Sequence, residues 1–327
     1  MGYKPPFNIT DEMLEYVAGI AEALGAVRGV ETLDKFPRLR RIGRIKSIQS
    51  SLAIENNSLT IDQVSDIIDG KNIIGPPDEI REVKNAITAY KELENIDPYN
   101  MNDLLRAHGI MTEGLAVESG ELRTVNEGVF SSDGQVIHVA PQPRMIPTLM
   151  SELFDWLKTT KTHALIKSSV FHYEFEFIHP FRDGNGRIGR LWHTAILMTW
   201  RPVFAWIPIE SIIREKQAEY YDAIAQSTKA GVSDKFIIYM LQVTLEAVKS
   251  LEVDTQAHIN HINSRVQDLL KVLDYYPLSA SEIMERLNLK SRDGLRNNYL
   301  KPAIEAGLIC MTEPSKPTSR NQMYFRK

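Results

Sequence analysis

The run His179-Pro-Phe-Arg-Asp183-Gly184-Asn185-Gly186-Arg187-Ile-Gly-Arg190 gathers the side chains that phosphate chemistry needs. A Gly-Asn-Gly loop lets backbone amides approach an anion, and a helix starting directly after it adds free N–H groups and a favourable dipole. Arg187 and Arg190 stand three apart on the first turn, so they share a face and offer two forked cations to a polyphosphate. Asp183 at the loop edge can hold Mg²⁺, which takes one or two carboxylates and completes its shell with phosphate oxygens and water. His179, four residues earlier, is a base that titrates near neutral pH. Phe181 has the apolar bulk to anchor the loop in a core. The run is not a P-loop, which would need GxxxxGK followed by Ser or Thr. Nor is it a dinucleotide fingerprint, because a helical rather than a strand pattern precedes it.

The elements that must position this run read as helices. A strongly apolar, aromatic helix is expected over 164–178 and another over 187–200. Upstream, Thr10 caps a first helix, 44–56 forms a second that stops at Asn56-Asn57, and Thr60 with Gln63 makes a capping box for a helix that Gly70 ends. Further helices are expected over 80–93, 102–116, 148–157 (with Pro147 in its first turn), 212–226 and 234–251. One segment differs: 128–139 has short β-prone runs around Asp133-Gly134, a strong hairpin turn signal. The last stretch reads as helices over 262–273, 280–287 (capped by Ser279 and Glu282) and 293–306, then strands over 308–312 and 322–326. Three helices followed by a two-strand hairpin is the order of a winged helix.

The run 179–190 matches the Fic-family motif HxFx(D/E)GNGRxxR at every fixed position. The all-helical context, the hairpin and Gly120-Glu-Leu-Arg123 before it extend the resemblance over about residues 100–225. The sequence is therefore identified as a member of that family, whose enzymes transfer AMP from ATP to a protein hydroxyl. The resemblance implies that His179 deprotonates the target hydroxyl. It implies that Asp183 ligates Mg²⁺ between the α- and β-phosphates, and that Gly184, Asn185 and Gly186 form an anion hole. Arg187 and Arg190 would hold the distal phosphates, and the hairpin, with Val136, Ile137 and His138, would be a flap that pairs with the target segment as an added strand. Tyr220 and Tyr221 resemble a position that contacts adenine, with core packing as the alternative.

Ser51-Leu-Ala-Ile-Glu55-Asn56 matches the family's inhibitory motif, (S/T)xxxE(G/N). Ser51 and Glu55 are four apart and share a helix face. A glutamate projecting into the nest would pair with Arg190 and occupy the place of the γ-phosphate. On the helix before the loop, His172 and Glu176 are also four apart, with Glu174 between them. Without an HExxH pattern they read as a satisfied helix pair. Trp192, Trp200 and Trp206 are expected in the core.

The 327 residues exceed one ordinary domain, and 43% hydrophobic with 24% charged residues is globular. We expect an N-terminal helical region with the inhibitory helix over 1–98, a Fic core over 99–252 and a winged helix over 253–327. The fold class is thus an all-α Fic fold with a small β-hairpin flap plus a C-terminal winged-helix (α+β) domain. The net charge of −4 excludes a global basic field. Residues 261–327 nevertheless carry 11 Lys/Arg against 7 Asp/Glu, a local +4. Arg292, Arg296 and Lys301 on the third helix and Lys316 and Arg320 on the wing suit DNA phosphates, with protein contact or dimer formation as the alternative. The single cysteine, Cys310, excludes an intrachain disulfide and reads as a buried apolar residue. With no signal peptide and no apolar stretch of membrane-spanning length, we expect a cytoplasmic protein that does not enter the membrane. The expected function is Mg²⁺-dependent adenylyl transfer from ATP to a target protein, restrained by Glu55. Self-modification and a homodimer are both compatible with it. Alternatives are a DNA-binding regulator whose Fic core senses nucleotide, or a Fic enzyme that removes AMP or transfers another nucleotide.

Overall fold

The computed structural model describes residues 3–26, 37–130, 136–261, 264–273, 276–305, 308–314, 316–317, 319 and 321–326. The chain divides into two compact units, residues 1–26 with 41–250 and residues 27–40 with 251–327. It is mostly helical. The helices are α1 (Asp11–Ala26), α2 (Pro37–Ile54), α3 (Ile61–Ile68), α4 (Pro77–Lys91), α5 (Met101–Met111), α6 (Ile146–Thr159), α7 (Ala164–Ile178), α8 (Asn185–Met198), α9 (Ile209–Glu215), α10 (Gln217–Ala230) and α11 (Asp234–His261). No helix among the described residues is long and apolar enough to cross a membrane.

The centre of the larger unit is α7, in which all but Lys167 and Phe177 are buried. A helix apolar on every side can only be stable with partners all round it. Its main partner is α8. The two approach closely at Gly189, where a Cβ would lie 2.7 Å from Glu176 Oε1 and 3.0 Å from the His172 ring. Phe154 of α6 packs edge-on to Phe171 and Trp192, and the Trp192 indole N–H donates to the Pro98 carbonyl at 3.0 Å. Burying an aromatic ring is worth several kcal/mol at about 25 cal/mol per Å². This layer therefore holds rigid the two helices that flank the loop 179–184.

Helix α2 buries Ile45, Ile48, Leu52 and Ile54 and is also tied down by buried polar groups. Ser47 donates to Glu210 (2.8 Å), Gln49 donates to the Leu59 carbonyl (3.1 Å) and Ser50 bonds Ser211 (3.0 Å). A Cβ at Gly43 would run into the Trp206 carbonyl, so the helix passes very close to that turn. Asn56, with φ 70°, ends the helix in the left-handed region that asparagine tolerates.

The capping box of Thr60 and Gln63 is present, and Gly70 (φ 75°) closes α3. Helix α5 stops at Met111 rather than 116: Thr112 leaves the helical backbone (φ −111°, ψ 11°) and Gly114 (φ 69°) turns the chain into the left-handed region. The segment expected as one helix over 212–226 is two, broken at Lys216 (φ −112°, ψ 36°). Trp192 is fully buried, but Trp200 and Trp206 are only half-buried and offer ring faces to Arg201 and Arg44. Cations stack well on indole, which stabilises an indole at the surface.

Strands β1 (Gly128–Phe130) and β2 (Val136–Val139) pair antiparallel, with Gly128 opposite Val139 and Val129 opposite His138. The turn with Asp133 and Gly134 lies outside the described residues.

In the smaller unit, α12 (Ser264–Val272), β3 (Leu278–Ser279), α13 (Ala280–Arg286) and α14 (Arg292–Leu295) precede a π turn over Arg296–Leu300 and α15 (Lys301–Glu305). Then β4 (Ile309–Met311) and β5 (Met323–Arg326) complete a three-stranded antiparallel sheet in the order β3-β5-β4. Its own core holds Val266, Leu269, Ile283, Leu295, Leu300, Ala303 and Ile309. The capping box of Ser279 and Glu282 is present. Cys310 is only partly buried, on β4. The expected third helix is a single run of turns that widens at 296–300, and β3 is a two-residue strand too short to leave an alternating pattern.

Candidate active site

The loop between α7 and α8 is fixed from both ends. His179 caps α7 in the left-handed region (φ 50°, ψ 61°), and its N–H donates to the Phe175 carbonyl at 2.9 Å. Phe181 is fully buried and stacks on His108 with ring centroids 3.6 Å apart. The Asn185 side chain closes the loop on itself. Its Oδ1 accepts from the Phe181 N–H (2.9 Å) and its Nδ2 donates to the Phe181 carbonyl (2.7 Å). Gly184 (φ 81°) then caps α8, and its N–H donates to Asp183 Oδ1 at 2.6 Å. The amide of Asn185 is therefore spent inside the loop. What remains for an anion is the first-turn backbone N–H groups of α8, which have no intrahelical acceptor.

Two buried residues hold this loop from outside it. His108 Nδ1 accepts from the Gly120 N–H (2.9 Å), so its Nε2 carries the proton and donates to the Asp183 carbonyl (2.9 Å). Burial pushes the His108 pKa down to about 4, which keeps the ring neutral in that tautomer. Arg123 is buried and donates to the carbonyls of Val125 (2.6 Å), Pro141 (2.7 Å), Ile178 (3.3 Å) and His179 (2.7 Å). It joins the end of α7 to the chain on both sides of the hairpin. Replacing Arg123 by Met leaves those acceptors without a donor. The expected loss is roughly 3–4 kcal/mol of unfolding free energy, to be measured by chemical denaturation. A loss below about 1 kcal/mol would mean water satisfies the carbonyls as well.

The anion seat is filled by Glu55. A Cβ at Gly186 would collide with Glu55 Oε1 and lie 2.9 Å from the Arg190 guanidinium, so the carboxylate rests on the bare glycine at the start of α8. Arg190 donates to Glu55 Oε1 (2.8 Å), to the Ser51 carbonyl (2.8 Å) and to the Ser51 hydroxyl (3.1 Å). Burial works against the Arg190 charge, but the Glu55 carboxylate beside it outweighs that and raises its pKa. Arg187 is bridged between Glu82 of α4 (3.2 Å) and Asp183 (2.8 Å). Glu82 also accepts from Asn57 at 2.8 Å, so it ties the chain after Glu55 to the second arginine.

Behind the loop, Glu176 is buried with Oε2 3.9 Å from His179 Nδ1 and Oε1 3.7 Å from His172 Nε2. These distances are too long for hydrogen bonds, so the expectation of a satisfied His172–Glu176 pair is corrected. The rings at 172 and 220 bond each other instead, His172 Nε2 to the Tyr220 hydroxyl at 3.1 Å. That contact draws His172 away from the carboxylate. Burial holds the His172 pKa at about 3. It also lowers that of His179, an effect opposed by the Glu176 charge and its backbone carbonyl.

The structure brings His179, Asp183, Gly184, Gly186, Arg187, Arg190, Ser51 and Glu55 around the start of α8. Tyr220 is buried against His172, Phe236 and Tyr239. Tyr221 is half-buried within electrostatic reach of Glu55; burial first and that charge second raise its pKa. Val136, Ile137 and His138 lie on β2, which runs beside α10. Arg292, Arg296 and Lys301 are exposed in the smaller unit, and Arg320 lies outside the described residues. Sequence reading missed Glu82 and His108. Nothing in their local pattern marks them, since both act through residues about 75 to 105 positions away.

Among the described residues no group of three or more His, Cys, Asp or Glu is arranged to hold a metal ion. Asp183 still fits Mg²⁺: its side chain is 58% exposed, and one hard carboxylate oxygen beside a phosphate seat is the donor set that ion takes.

Comparison with known proteins agrees with this architecture. Residues 98–197 match the Fic/DOC family model, and residues 264–325 match the model for the C-terminal domain of Filamentation induced by cAMP protein Fic-like proteins. A crystal structure of a Fic family protein from Desulfovibrio desulfuricans G20 is 41% identical, covering 99% of this chain and 98% of that one, with a TM-score of 0.76. The chain belongs to the Fic family. Relatives named protein adenylyltransferase Fic, from Culex quinquefasciatus, and protein adenylyltransferase fic-1, from Caenorhabditis elegans, are 28% and 26% identical over 68% and 76% of this chain. The chain spans about half the length of these curated relatives, 45% and 47%.

Proposed function

We propose that the chain transfers AMP from ATP to a hydroxyl side chain of a target protein, and that Glu55 restrains it. The observation that carries this is the Glu55 carboxylate seated on Gly186 and paired with Arg190, an anion already lodged where a polyphosphate belongs. Once Glu55 withdraws, the first-turn amides of α8 and the guanidinium of Arg190 are ready for phosphate oxygens. Arg187 must exchange its bonds to Glu82 and Asp183 for the nucleotide. His179, 18% exposed at the loop's other end, takes the proton of the attacking hydroxyl. Asp183 would hold Mg²⁺, which when bound would supply charge neutralisation at the polyphosphate. Little covalent chemistry falls to the protein in such a transfer, and positioning with charge neutralisation supplies the rate. The test is intact-mass spectrometry of the Glu55→Gly chain with Mg²⁺ and ATP. A mass gain of one AMP on the chain or a partner supports the reading. Gain with another nucleotide only, or release of AMP from a modified protein, would replace it with the corresponding alternative.

We also infer that the smaller unit is a winged helix bounded near residue 253. Three helical segments and a sheet in the order β3-β5-β4 support this. Exposed Arg292 and Arg296 border a cavity of about 260 Å³ with Gln322 and Tyr324, which suits a phosphate backbone. In fluorescence anisotropy, duplex DNA should bind the full chain with an affinity that falls with salt. Arg296→Ala should reduce the log–log slope by about one. Binding that is absent at low salt would leave protein contact as this unit's role.

A further inference from the structure

Among the described residues, three buried side-chain atoms around the base have no hydrogen-bond partner: Glu176 Oε1, His172 Nδ1 and His179 Nδ1. Buried polar atoms are nearly always paired, so a carboxylate with one unpaired oxygen, Oε1, and its other oxygen, Oε2, 3.9 Å from an unpaired imidazole nitrogen calls for a reason. Packing is not that reason. The neighbours Phe175 and Ile178 are buried apolar residues, and a hydrophobe at 176 would cost less than a glutamate. Space is also kept for the carboxylate, because Gly189 is the one residue on α8 whose missing Cβ admits Oε1. The oxygen nearest His179 faces Nδ1, which leaves Nε2 as the ring nitrogen free to meet a substrate.

We propose that Glu176 is a positioning residue for His179, receiving its Nδ1–H so that Nε2 presents a lone pair, and stabilising the imidazolium that forms. This rests on the transfer reading above. In that step the target oxygen bonds the α-phosphorus as the bond to pyrophosphate breaks, and the electron pair leaves with pyrophosphate. The hydroxyl proton passes to His179 Nε2, and the Nδ1 proton stays where it is. A carboxylate 3.9 Å from Nδ1 needs only a small ring movement to reach hydrogen-bond distance, a tightening common when a substrate seats. The groups facing Glu176 are His172 and His179 from α7 and its cap, Arg190 from α8, Tyr220 and Tyr221 from α10, and Glu55 after α2. Burial pushes Glu176 up to about 7, His179 and Arg190 pull it down and Glu55 pushes it up. The carboxylate therefore becomes increasingly available as pH rises through neutrality.

The test uses the full chain with ¹⁵N-labelled histidine, the His179 signals being assigned by their loss in His179→Asn. Two-bond couplings should show the Nδ1–H tautomer. Because the Glu176 charge raises the His179 pKa, Glu176→Gln should lower its titration midpoint by about one pH unit. Glu176→Asp should restore part of that shift. In the Glu55→Gly background, Glu176→Gln should cut kcat on the order of 10-fold to 10²-fold, below the ~10⁴-fold seen for a buried triad aspartate. KM for ATP should hold within about two-fold, and the acid limb of the pH profile should move to lower pH. An Nε2–H tautomer in the unaltered chain, or an unchanged midpoint in Glu176→Gln, overturns the inference. Neither readout needs turnover. A Glu55→Gly chain that adds no AMP would instead overturn the transfer reading, whatever the ring titration shows.

Discussion

Changing Glu55 to glycine should raise incorporation of labelled AMP on the order of 10²-fold. Arg190 is buried, and three of its hydrogen bonds go to Ser51 and Glu55, so the carboxylate and the arginine hold each other in the seat. A plug that leaves the seat open about 1% of the time is favoured by only ~2.7 kcal/mol, so removing it yields at most a hundredfold gain. Glycine removes the plug with little cost to the fold, because Glu55 is 36% exposed and lies just beyond the end of α2. Arg190 keeps both Ser51 bonds. Glu55→Gln, which fills the same space without charge, should fall between the two. The measurement is initial-rate transfer from α-labelled ATP, with nucleotide affinity read in parallel by calorimetry. Equal rates for Glu55→Gly and the unaltered chain, with ATP bound by both, would remove the brake from the account.

Changing His179 in the Glu55→Gly background should abolish transfer, a drop of about 10²- to 10⁴-fold for loss of a general base. The choice of variant matters. His179 caps α7 at φ 50°, where alanine is strained and asparagine is not. His179→Asn therefore isolates the chemistry, while His179→Ala adds a cost of roughly 1 kcal/mol to the loop. Nucleotide affinity should hold within about two-fold in both, since the seat is made by α8 and not by the ring. A His179→Asn chain that keeps more than a third of the parental rate would assign the proton to another group.

The helices around the site were legible because their causes are local. A strongly apolar, aromatic run marks α7, the capping box of Thr60 and Gln63 starts α3, and Asn56 tolerates the backbone that ends α2. The C-terminal limit of α5 was not legible, because a glycine inside a helical pattern is often tolerated, whereas Gly114 adopts φ 69° just after the cap at Thr112. The π turn over Arg296–Leu300 leaves no pattern in composition either.

For the site, the sequence alone determined which groups sit between 179 and 190, since loop, cap and first turn are contiguous and their spacing dictates a shared helix start. Tertiary structure decided which of these groups are engaged and by whom. Asn185 turns its amide inward to close its own loop, and Glu82, His108 and Arg123 support the loop from distant positions. Glu176 is left with Oε2 3.9 Å from His179 Nδ1 and, among the described residues, with Oε1 unpaired. Such partners are selected by packing across the chain, where distance in space bears no relation to distance in sequence. The acid 135 positions away is expected at the seat from the motif at 51–56, and the folded core shows how it is held there, on Gly186 and beside an Arg190 that also bonds Ser51.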